Sequence, residues 1–183
     1  MGNYCTNNNI TLENDNIILE TANSSISEFS LNGLFILGKV VYVYDGDTVH
    51  IVIIFNNKLT KFNCRLLSID SPEICPKNIK DLNKRNEEIE SAIKSRNYLI
   101  NHVSNNLITN PKMTKTETKE LCSKSTKLIW VKCFDFDKYG RLLVELYDSK
   151  DALISINQLM IDNKYAIKYD GGTKKEFAHD NFN

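Results

Sequence analysis

Three short runs of apolar and β-branched residues, separated by turn residues, follow one another before residue 70 of this 183-residue chain. The runs are residues 34–44, Val49–Phe55 and Leu59–Ser68, and the turns between them are Asp45-Gly46-Asp47 and Asn56-Asn57. Asp, Asn and Gly are residues that tight turns prefer. In the third run Phe62, Cys64 and Leu66 alternate with polar residues, which is typical of a strand with one buried face. Because the turns are too short for a crossover, the segment predicts an antiparallel meander of three strands.

The second half of the chain supplies the remaining elements of the predicted fold. They are a helix over residues 84–103, strands at Leu128–Phe136 and Leu142–Tyr147, and a second helix at Ile154–Ile161. In the longer helix, apolar residues such as Ala92, Leu99 and Val103 recur at three- and four-residue steps. Five strands with a helix between the third and the fourth follow the order of an OB-type barrel. We therefore predict an α+β fold, a five-stranded antiparallel OB-fold barrel with two or three helices.

Composition divides the chain into a tether, a domain and a tail. Residues 1–33 are rich in Asn and Ser and predict a disordered tether, residues 34–170 form the barrel domain, and residues 171–183 are a C-terminal tail. Within the domain, residues 104–126 predict a basic surface insertion with a short helical turn around Glu117–Leu121. The first 38 residues hold four acidic and no basic side chains, so the rest carries 23 basic against 19 acidic groups. This excess of positive charge permits a polyanionic substrate.

The five cysteines exclude two common structural devices. They are odd in number and form no C-x-x-C pair, so neither a zinc site nor a disulfide framework is indicated. The sequence shows no secretory leader and no apolar run long enough to span a membrane. We expect an intracellular, monomeric protein with reduced thiols.

The first six residues match a lipidation pattern. Gly2 and Thr6 fit M-G-x-x-x-[ST], the pattern for N-myristoylation, and Cys5 is placed for palmitoylation. Stable anchoring needs a second signal beside one myristoyl chain, and no basic residue precedes Lys39, so Cys5 would have to supply it. A chance match on a polar tail is the alternative. We expect dual acylation to hold the protein at the cytosolic face of a membrane; without it the protein would be cytoplasmic.

Three polar segments lie at strand ends and carry the candidate chemistry. They are Asp45-Gly46-Asp47-Thr48, Arg65-Leu66-Leu67-Ser68-Ile69-Asp70-Ser71-Pro72-Glu73 and Asp137-Lys138-Tyr139-Gly140-Arg141. Carboxylates bind hard cations, whereas guanidinium groups bind phosphate oxygens in a bidentate manner. The three acidic candidates are Asp47, Asp70 and Glu73, and the two arginines are Arg65 and Arg141.

Each segment alone has an ordinary structural interpretation as a turn or a hairpin. Together they indicate more, because carboxylates held within about 4 Å of each other repel by several kcal/mol at an effective dielectric near 20. Such a cluster calls for a cation or for a protonated member. The three segments therefore predict a metal-dependent site for a phosphate ester.

The motifs D-G-D-T, R-L-L-x-I-D-[ST]-P-E and D-K-Y-G-R together resemble those of the thermonuclease (staphylococcal nuclease) family. The resemblance covers about Gly38 to Tyr169, interrupted by the insertion. It implies that Asp47, Asp70 and the Ser71 backbone carbonyl bind Ca²⁺. The family usually has Thr at the position of Ser71, a change that should matter little because the main chain is the ligand.

The same resemblance implies roles for the other site residues. Glu73 would hold the attacking water as general base, while Arg65 and Arg141 would clamp the phosphate and stabilise the charge of the transition state. Lys138 and Tyr139 would bind a terminal phosphate. Asp45 and Thr48 would support the metal-binding loop.

Tyr139 and Tyr169 are also candidates for stacking on bases, which contributes roughly 1–3 kcal/mol per base in single-strand binders. For Tyr169 the alternative is a structural role in packing the tail on the barrel. The resemblance implies a Ca²⁺-dependent, sugar-nonspecific nuclease that acts on DNA and RNA, prefers single strands, cleaves the 5′ P–O bond and leaves 3′-phosphates. The alternative is a catalytically silent OB-fold module that binds nucleic acid or protein.

Overall fold

The computed structural model describes residues 7–106, 108 and 110–172, with side chains from residue 14 onward. The chain forms two compact units, Met1–Ser30 and Leu31–Asn183. In the first unit, Asn7–Glu20 is helix α1, whereas the sequence predicts a disordered tether over residues 1–33. The segment 7–20 contains no Gly or Pro, so nothing in it breaks a helix. Gly2 and Cys5 lie outside the described residues.

The second unit is built on a closed barrel, which confirms the predicted five-stranded fold. Its strands are β1 (Phe35–Val43), β2 (Thr48–Phe55), β3 (Lys58–Leu66), β5 (Ile129–Phe136) and β6 (Leu142–Tyr147), in the order β1-β2-β3-β6-β5 around the barrel. The inward residues alternate with outward ones, so the barrel interior is filled by aliphatic side chains and two cysteines. They include Val40, Ile51, Cys64, Val131, Cys133 and Val144.

One strand pair departs from the predicted antiparallel arrangement. β3 and β6 run parallel, with Cys64 opposite Leu142 and Leu66 opposite Val144. A ring of five strands cannot alternate direction all the way round, because the number is odd, so one pair must be parallel. The long connection through the helices between β3 and β5 supplies the crossover that a parallel pair needs.

Three helices accompany the barrel in the described part of this unit, in agreement with the predicted two or three. They are α2 (Leu82–Val103), α3 (Lys115–Lys124) and α4 (Ile156–Asp162). Asp81, Thr114 and Ser155 cap their first turns by accepting hydrogen bonds from backbone N–H groups. None of the helices in residues 7–106, 108 and 110–172 combines the length and apolar character needed to cross a membrane.

The insertion over residues 104–126 is less superficial than the sequence predicts. It contains the whole of α3, in which Thr118 and Cys122 are buried. The buried Arg96 of α2 donates hydrogen bonds to the backbone carbonyls of Met113 and Pro111, at 3.1 and 3.3 Å. Because the guanidinium satisfies two loop carbonyls, the segment before α3 is fixed to the domain.

Two very short strands form a second sheet that has no periodic signal in the sequence. β4 (Ile69–Asp70) pairs antiparallel with β7 (Ile167–Lys168), and the N–H of Tyr169 donates to the carbonyl of Ser68 at 3.0 Å. The end of the domain therefore holds the backbone of Asp70 in place.

Candidate active site

One open cleft gathers candidate residues from two of the three predicted segments and from the C-terminal part of the domain. Its volume is about 700 Å³. The predicted site residues that line it are Arg65, Asp70, Glu73, Lys138, Tyr139, Arg141 and Tyr169. Asp45, Asp47 and Ser71 are buried and do not line the cleft. Residues up to about 100 positions apart in the chain thus converge on one surface because the barrel closes.

Arg65 holds two buried carboxylates together. Its Nη1 is 2.7 Å from Oδ1 of Asp47, and its Nη2 is 2.9 Å from Oδ1 of Asp70. Both aspartates are only 2% exposed, so the ion pairs are shielded from water. Nη2 also donates to the carbonyl of Ile69 at 3.2 Å. Burial alone would lower the pKa of Arg65, but Asp47 and Asp70 raise it, so the guanidinium stays charged.

The turn between β1 and β2 is shaped by hydrogen bonds to Asp45. Its Oδ1 accepts from the N–H groups of Asp47 and Thr48 at 3.1 and 2.8 Å. Asp47 in turn accepts two hydrogen bonds. Thr48 Oγ1 donates to Oδ1 of Asp47 at 2.9 Å, and the N–H of Ser71 donates to Oδ2 of Asp47 at 3.0 Å. Burial, and then the nearby charge of Asp47, raises the pKa of Asp45 well above its usual range. Asp45 and Thr48 therefore both support Asp47, because Asp45 shapes its turn and Thr48 donates to its carboxylate.

Arg141 is held by an aspartate to which the sequence analysis assigned no role. Oδ2 of Asp137 lies 2.8 Å from both Nε and Nη2 of Arg141. Oδ1 accepts from the N–H groups of Tyr139 and Arg141, each at 2.9 Å. Burial would raise the pKa of Asp137, but these hydrogen bonds and the guanidinium lower it. The hairpin turn, in which Gly140 has a φ of 74°, thus fixes the direction of the Arg141 side chain.

Glu73 is positioned through its backbone by a second glutamate. Oε1 of Glu88 accepts from the N–H of Glu73 at 2.8 Å. Glu88 is only 5% exposed and lies on the buried face of α2. Its spacing of four residues from Ala92 is the signal that could have placed it on that face.

Aromatic side chains lie against both arginines of the cleft. The ring of Tyr169 lies 5.8 Å from the Cζ of Arg65, and that of Tyr139 lies 5.6 Å from the Cζ of Arg141. Lys138 Nζ is 5.1 Å from the Tyr139 ring. Tyr139 is 73% exposed, so much of its side chain is accessible to a ligand. Tyr169 donates its hydroxyl to the carbonyl of Gly172 at 2.8 Å, a hydrogen bond within the C-terminal segment itself.

The oxygen ligands implied for Ca²⁺ are close together and of a suitable chemical kind. Asp47 and Asp70 converge on a single cationic group, and the N–H of Ser71 is bonded to Asp47. Within the described ranges, no three or more His, Cys, Asp or Glu side chains form a group that could hold a metal ion. Two carboxylates and a carbonyl are oxygen donors of the kind that Ca²⁺ prefers, and they would leave several of its six to eight positions to water or substrate.

Two further residues that the sequence analysis missed brace the cleft. Asn157 of α4 donates from Nδ2 to the carbonyls of Leu67 and Val144 and accepts from the N–H of Leu146. Ser95 of α2 donates its hydroxyl to the carbonyl of Tyr165 at 2.6 Å. Asn157 and Ser95 are buried polar residues on helix faces that pack inward. That position, polar within an otherwise apolar face, is the signal that sequence reasoning could have used.

The turn before Asp47 leaves no room for a side chain at position 46. A Cβ on Gly46 would collide with Oγ of Ser95 and lie 2.7 Å from Cβ of Ser71. We expect Gly46→Ala to lower the free energy of unfolding by about 1–3 kcal/mol, as overpacking does. Urea denaturation followed by circular dichroism measures the effect.

Gly172→Ala is the matched control, because a Cβ there meets nothing within 4 Å. Adding Ser95→Ala to Gly46→Ala should recover only part of the loss, because the contact with Ser71 remains. Equal stability of the Gly46 and Gly172 variants would show that the turn is not tightly packed.

Comparison with known proteins gives a relative but no function. No family model matches this chain. The chain is 34% identical over 146 residues to an uncharacterized protein of Methanocaldococcus jannaschii, an alignment that covers 72% of this chain and 58% of that protein. The chain therefore spans less than two thirds of the length of this relative, and the resemblance to thermonucleases stays a prediction from the motifs.

Proposed function

We propose that this protein is a Ca²⁺-dependent, sugar-nonspecific nuclease that hydrolyses phosphodiester bonds of DNA and RNA. The observation that carries the proposal is that Arg65, Asp70, Glu73 and Arg141 line the same cleft. A carboxylate able to take a proton and two guanidiniums able to bind phosphate oxygens lie on the same surface there. Such a combination can activate a water and stabilise the charge of a phosphodiester under attack.

The side chains of the cleft would have different roles in the hydrolysis. Glu73 would accept the proton of the attacking water, and its backbone is kept in place by Glu88. Arg65 and Arg141 would stabilise the charge that grows on the phosphate oxygens. Asp47, Asp70 and the carbonyl of Ser71 would hold Ca²⁺. The bound ion would neutralise negative charge on the phosphate and orient it. Attack in line with the 5′ oxygen would leave a 3′-phosphate and a free 5′-hydroxyl.

Single-stranded substrates fit this cleft better than duplexes. Tyr139 presents an exposed ring at its rim, and Tyr169 lines it from the other segment. Bases of a single strand can reach such rings, whereas bases paired in a duplex cannot. Lys138 lies beside Tyr139 and would bind a neighbouring phosphate as a point charge.

The decisive experiment compares digestion with Ca²⁺ and with a chelator. Plasmid DNA, heat-denatured DNA and RNA should all be degraded in Ca²⁺, with the denatured DNA degraded faster than the plasmid, and all should survive in chelator. The products should carry 3′-phosphates, which a phosphatase assay detects. Arg141→Ala, purified in parallel, controls for a contaminating nuclease. Degradation that continues in chelator, or no degradation in Ca²⁺, would overturn the proposal, and binding without cleavage would favour the silent OB-fold module.

The lipidation pattern at the N-terminus adds a second part to the proposal, that the protein is anchored to a membrane by acyl chains. We expect Gly2→Ala, which removes the myristoyl acceptor, to move the protein from the membrane to the soluble fraction of a eukaryotic expression host. Cys5→Ser should have a similar effect, because one acyl chain alone anchors only marginally. Ser25→Ala is a control outside the pattern. Identical fractionation of wild type and Gly2→Ala would rule out the anchor.

A further inference from the structure

Beyond the cleft, we propose that Lys61, Lys115 and Lys119 form a second binding surface for the phosphate backbone of the same nucleic acid strand. This inference rests on the proposed function, because it extends the substrate that the cleft would hold. We call these three side chains the lysine track. It consists of one residue of β3 and two residues of α3, the helix of the insertion.

The lysine track is connected to the cleft along β3. Lys61, Asn63 and Arg65 lie on the outer face of this strand, since the alternate residues Cys64 and Leu66 are completely buried. At about 3.3 Å per residue, Lys61 and Arg65 are about 13 Å apart along the strand. That distance spans about four phosphates at the roughly 3.4 Å axial spacing of one strand in B-form DNA, and fewer in an extended single strand.

A histidine lies between Arg65 and the lysine track. His50 on β2 pairs directly with Asn63, so Lys61 and Arg65 are its two diagonal neighbours across the strands. Its ring lies 5.1 Å from that of Tyr42 on β1. The outer surface from the cleft to Tyr42 is therefore continuous.

Helix α3 adds the other two charges to this surface. Lys119 Nζ lies 5.3 Å from the centre of the Tyr42 ring, which places α3 over the outer face of β1. Lys115 is one helical turn before Lys119, so the two share a face of α3. Lys61, Lys115 and Lys119 are all exposed.

The positive charge of the lysine track is not cancelled by its own helix. Glu117 accepts from the N–H of Thr114 at 2.6 Å, in the cap of α3, and Glu120 pairs with Lys124 at 3.7 Å. Among the described residues, none of the three lysines is in an ion pair with a carboxylate. Burial, and then the charges of Lys61, Lys119 and Lys115, lowers the pKa of His50, as expected on a positively charged surface.

A nucleic acid backbone is the ligand that fits these features. Lysines act as separate point charges, and a row of them matches a row of phosphates without any requirement for sequence. The track leads away from Arg65, so a strand with one phosphate in the cleft can continue over it. We therefore expect the affinity to increase with the length of the oligonucleotide up to the length that reaches α3.

Binding in the absence of cleavage tests the lysine track separately from catalysis. Fluorescence anisotropy in chelator would be recorded for oligothymidylates of increasing length at several salt concentrations. The variant combines Lys61→Gln, Lys115→Gln and Lys119→Gln. The control combines Lys94→Gln, Lys132→Gln and Lys150→Gln, which removes the same charge from exposed positions elsewhere on the domain.

The track variant should bind a long oligothymidylate roughly tenfold to a hundredfold more weakly than wild type. The slope of log K against log salt should fall by about 2, because each lost lysine contact with a single strand accounts for about 0.7. The control should resemble wild type, and all three proteins should bind a dinucleotide alike. Circular dichroism verifies that the track variant is folded.

Equal affinity of the track and control variants for the long oligonucleotide would overturn the inference. A second outcome would also overturn it: the wild type binds phosphatidylserine vesicles but no oligonucleotide, and the track variant loses the vesicle binding. The surface would then recognise a membrane. A protein that binds as described but never cleaves in Ca²⁺ would leave the lysine track supported and remove only the proposed nuclease activity.

Discussion

Arg65→Ala should lower the free energy of unfolding by about 3 kcal/mol, the low end of what breaking a buried ion pair costs. The substitution leaves Asp47 and Asp70 buried, each 2% exposed, without the guanidinium that now lies 2.7 and 2.9 Å from them. Two negative charges would then face each other in a medium that screens them poorly. Arg65 side-chain exposure of 15% allows some water to enter, which is why we expect the lower value. Urea denaturation followed by circular dichroism gives the number.

Arg65→Lys keeps the positive charge at this position but removes the planar geometry of the guanidinium, so it tests the two contributions separately. A lysine ammonium cannot bridge two carboxylates with the fixed fork of a guanidinium, so an intermediate loss is expected. Arg85→Ala, an exposed arginine at the start of α2, is the surface control and should change stability by less than about 0.5 kcal/mol. An Arg65→Ala protein as stable as the control would show that the two carboxylates do not depend on this cation.

Arg141→Ala should leave the fold nearly intact and abolish most of the activity. Its partner Asp137 is 16% exposed and the arginine 22%, so this pair is partly open to water and its loss should cost about 1 kcal/mol or less. If Arg141 stabilises the transition state of the proposed hydrolysis, its removal should reduce kcat about 10²–10³-fold, as the loss of one preorganised donor does. Initial rates on denatured DNA in Ca²⁺ measure this.

Lys138→Ala is the control for Arg141→Ala, because it removes a positive charge from the same hairpin. Lys138 lies in the same hairpin and lines the same cleft, but we expect it to contact a neighbouring phosphate. Its loss should therefore raise KM with little change in kcat, because ground-state and transition-state binding decline together. Equal changes in kcat for both variants would mean that Arg141 has no special role in the transition state.

The periodic elements of the fold could be predicted because their signals are local. β1, β2, β5 and β6 begin and end within one or two residues of the predicted strands, since burial on one face imposes alternation. β4 and β7 could not be predicted, because a pairing of two residues has no period. Helix α1 has a polar composition, and a polar composition predicts disorder rather than a helix. The parallel β3–β6 pair follows from closure of the barrel, which no single segment reveals.

The sequence indicates the charged residues of the candidate site and two of its supports, Asp45 and Thr48, but not the other supports. Arg65, Glu73 and Arg141 were identified from turn motifs rich in charge. Asp137 and Glu88, which hold Arg141 and the backbone of Glu73, were not, because their partners are known only once the chain has folded.

The order of the residues alone establishes which chemical groups are present, the alternation that makes five strands, and the turns that place charges at strand ends. These are local properties, set by side-chain chemistry and by the steric preferences of short segments. Folding in three dimensions is what lets Arg65 bridge two aspartates from different segments, lets β7 pair with Asp70, and lets α3 place lysines over the outer face of the barrel. These arrangements depend on contacts between residues far apart in the chain, and the closure of the barrel is what brings them within reach of one another.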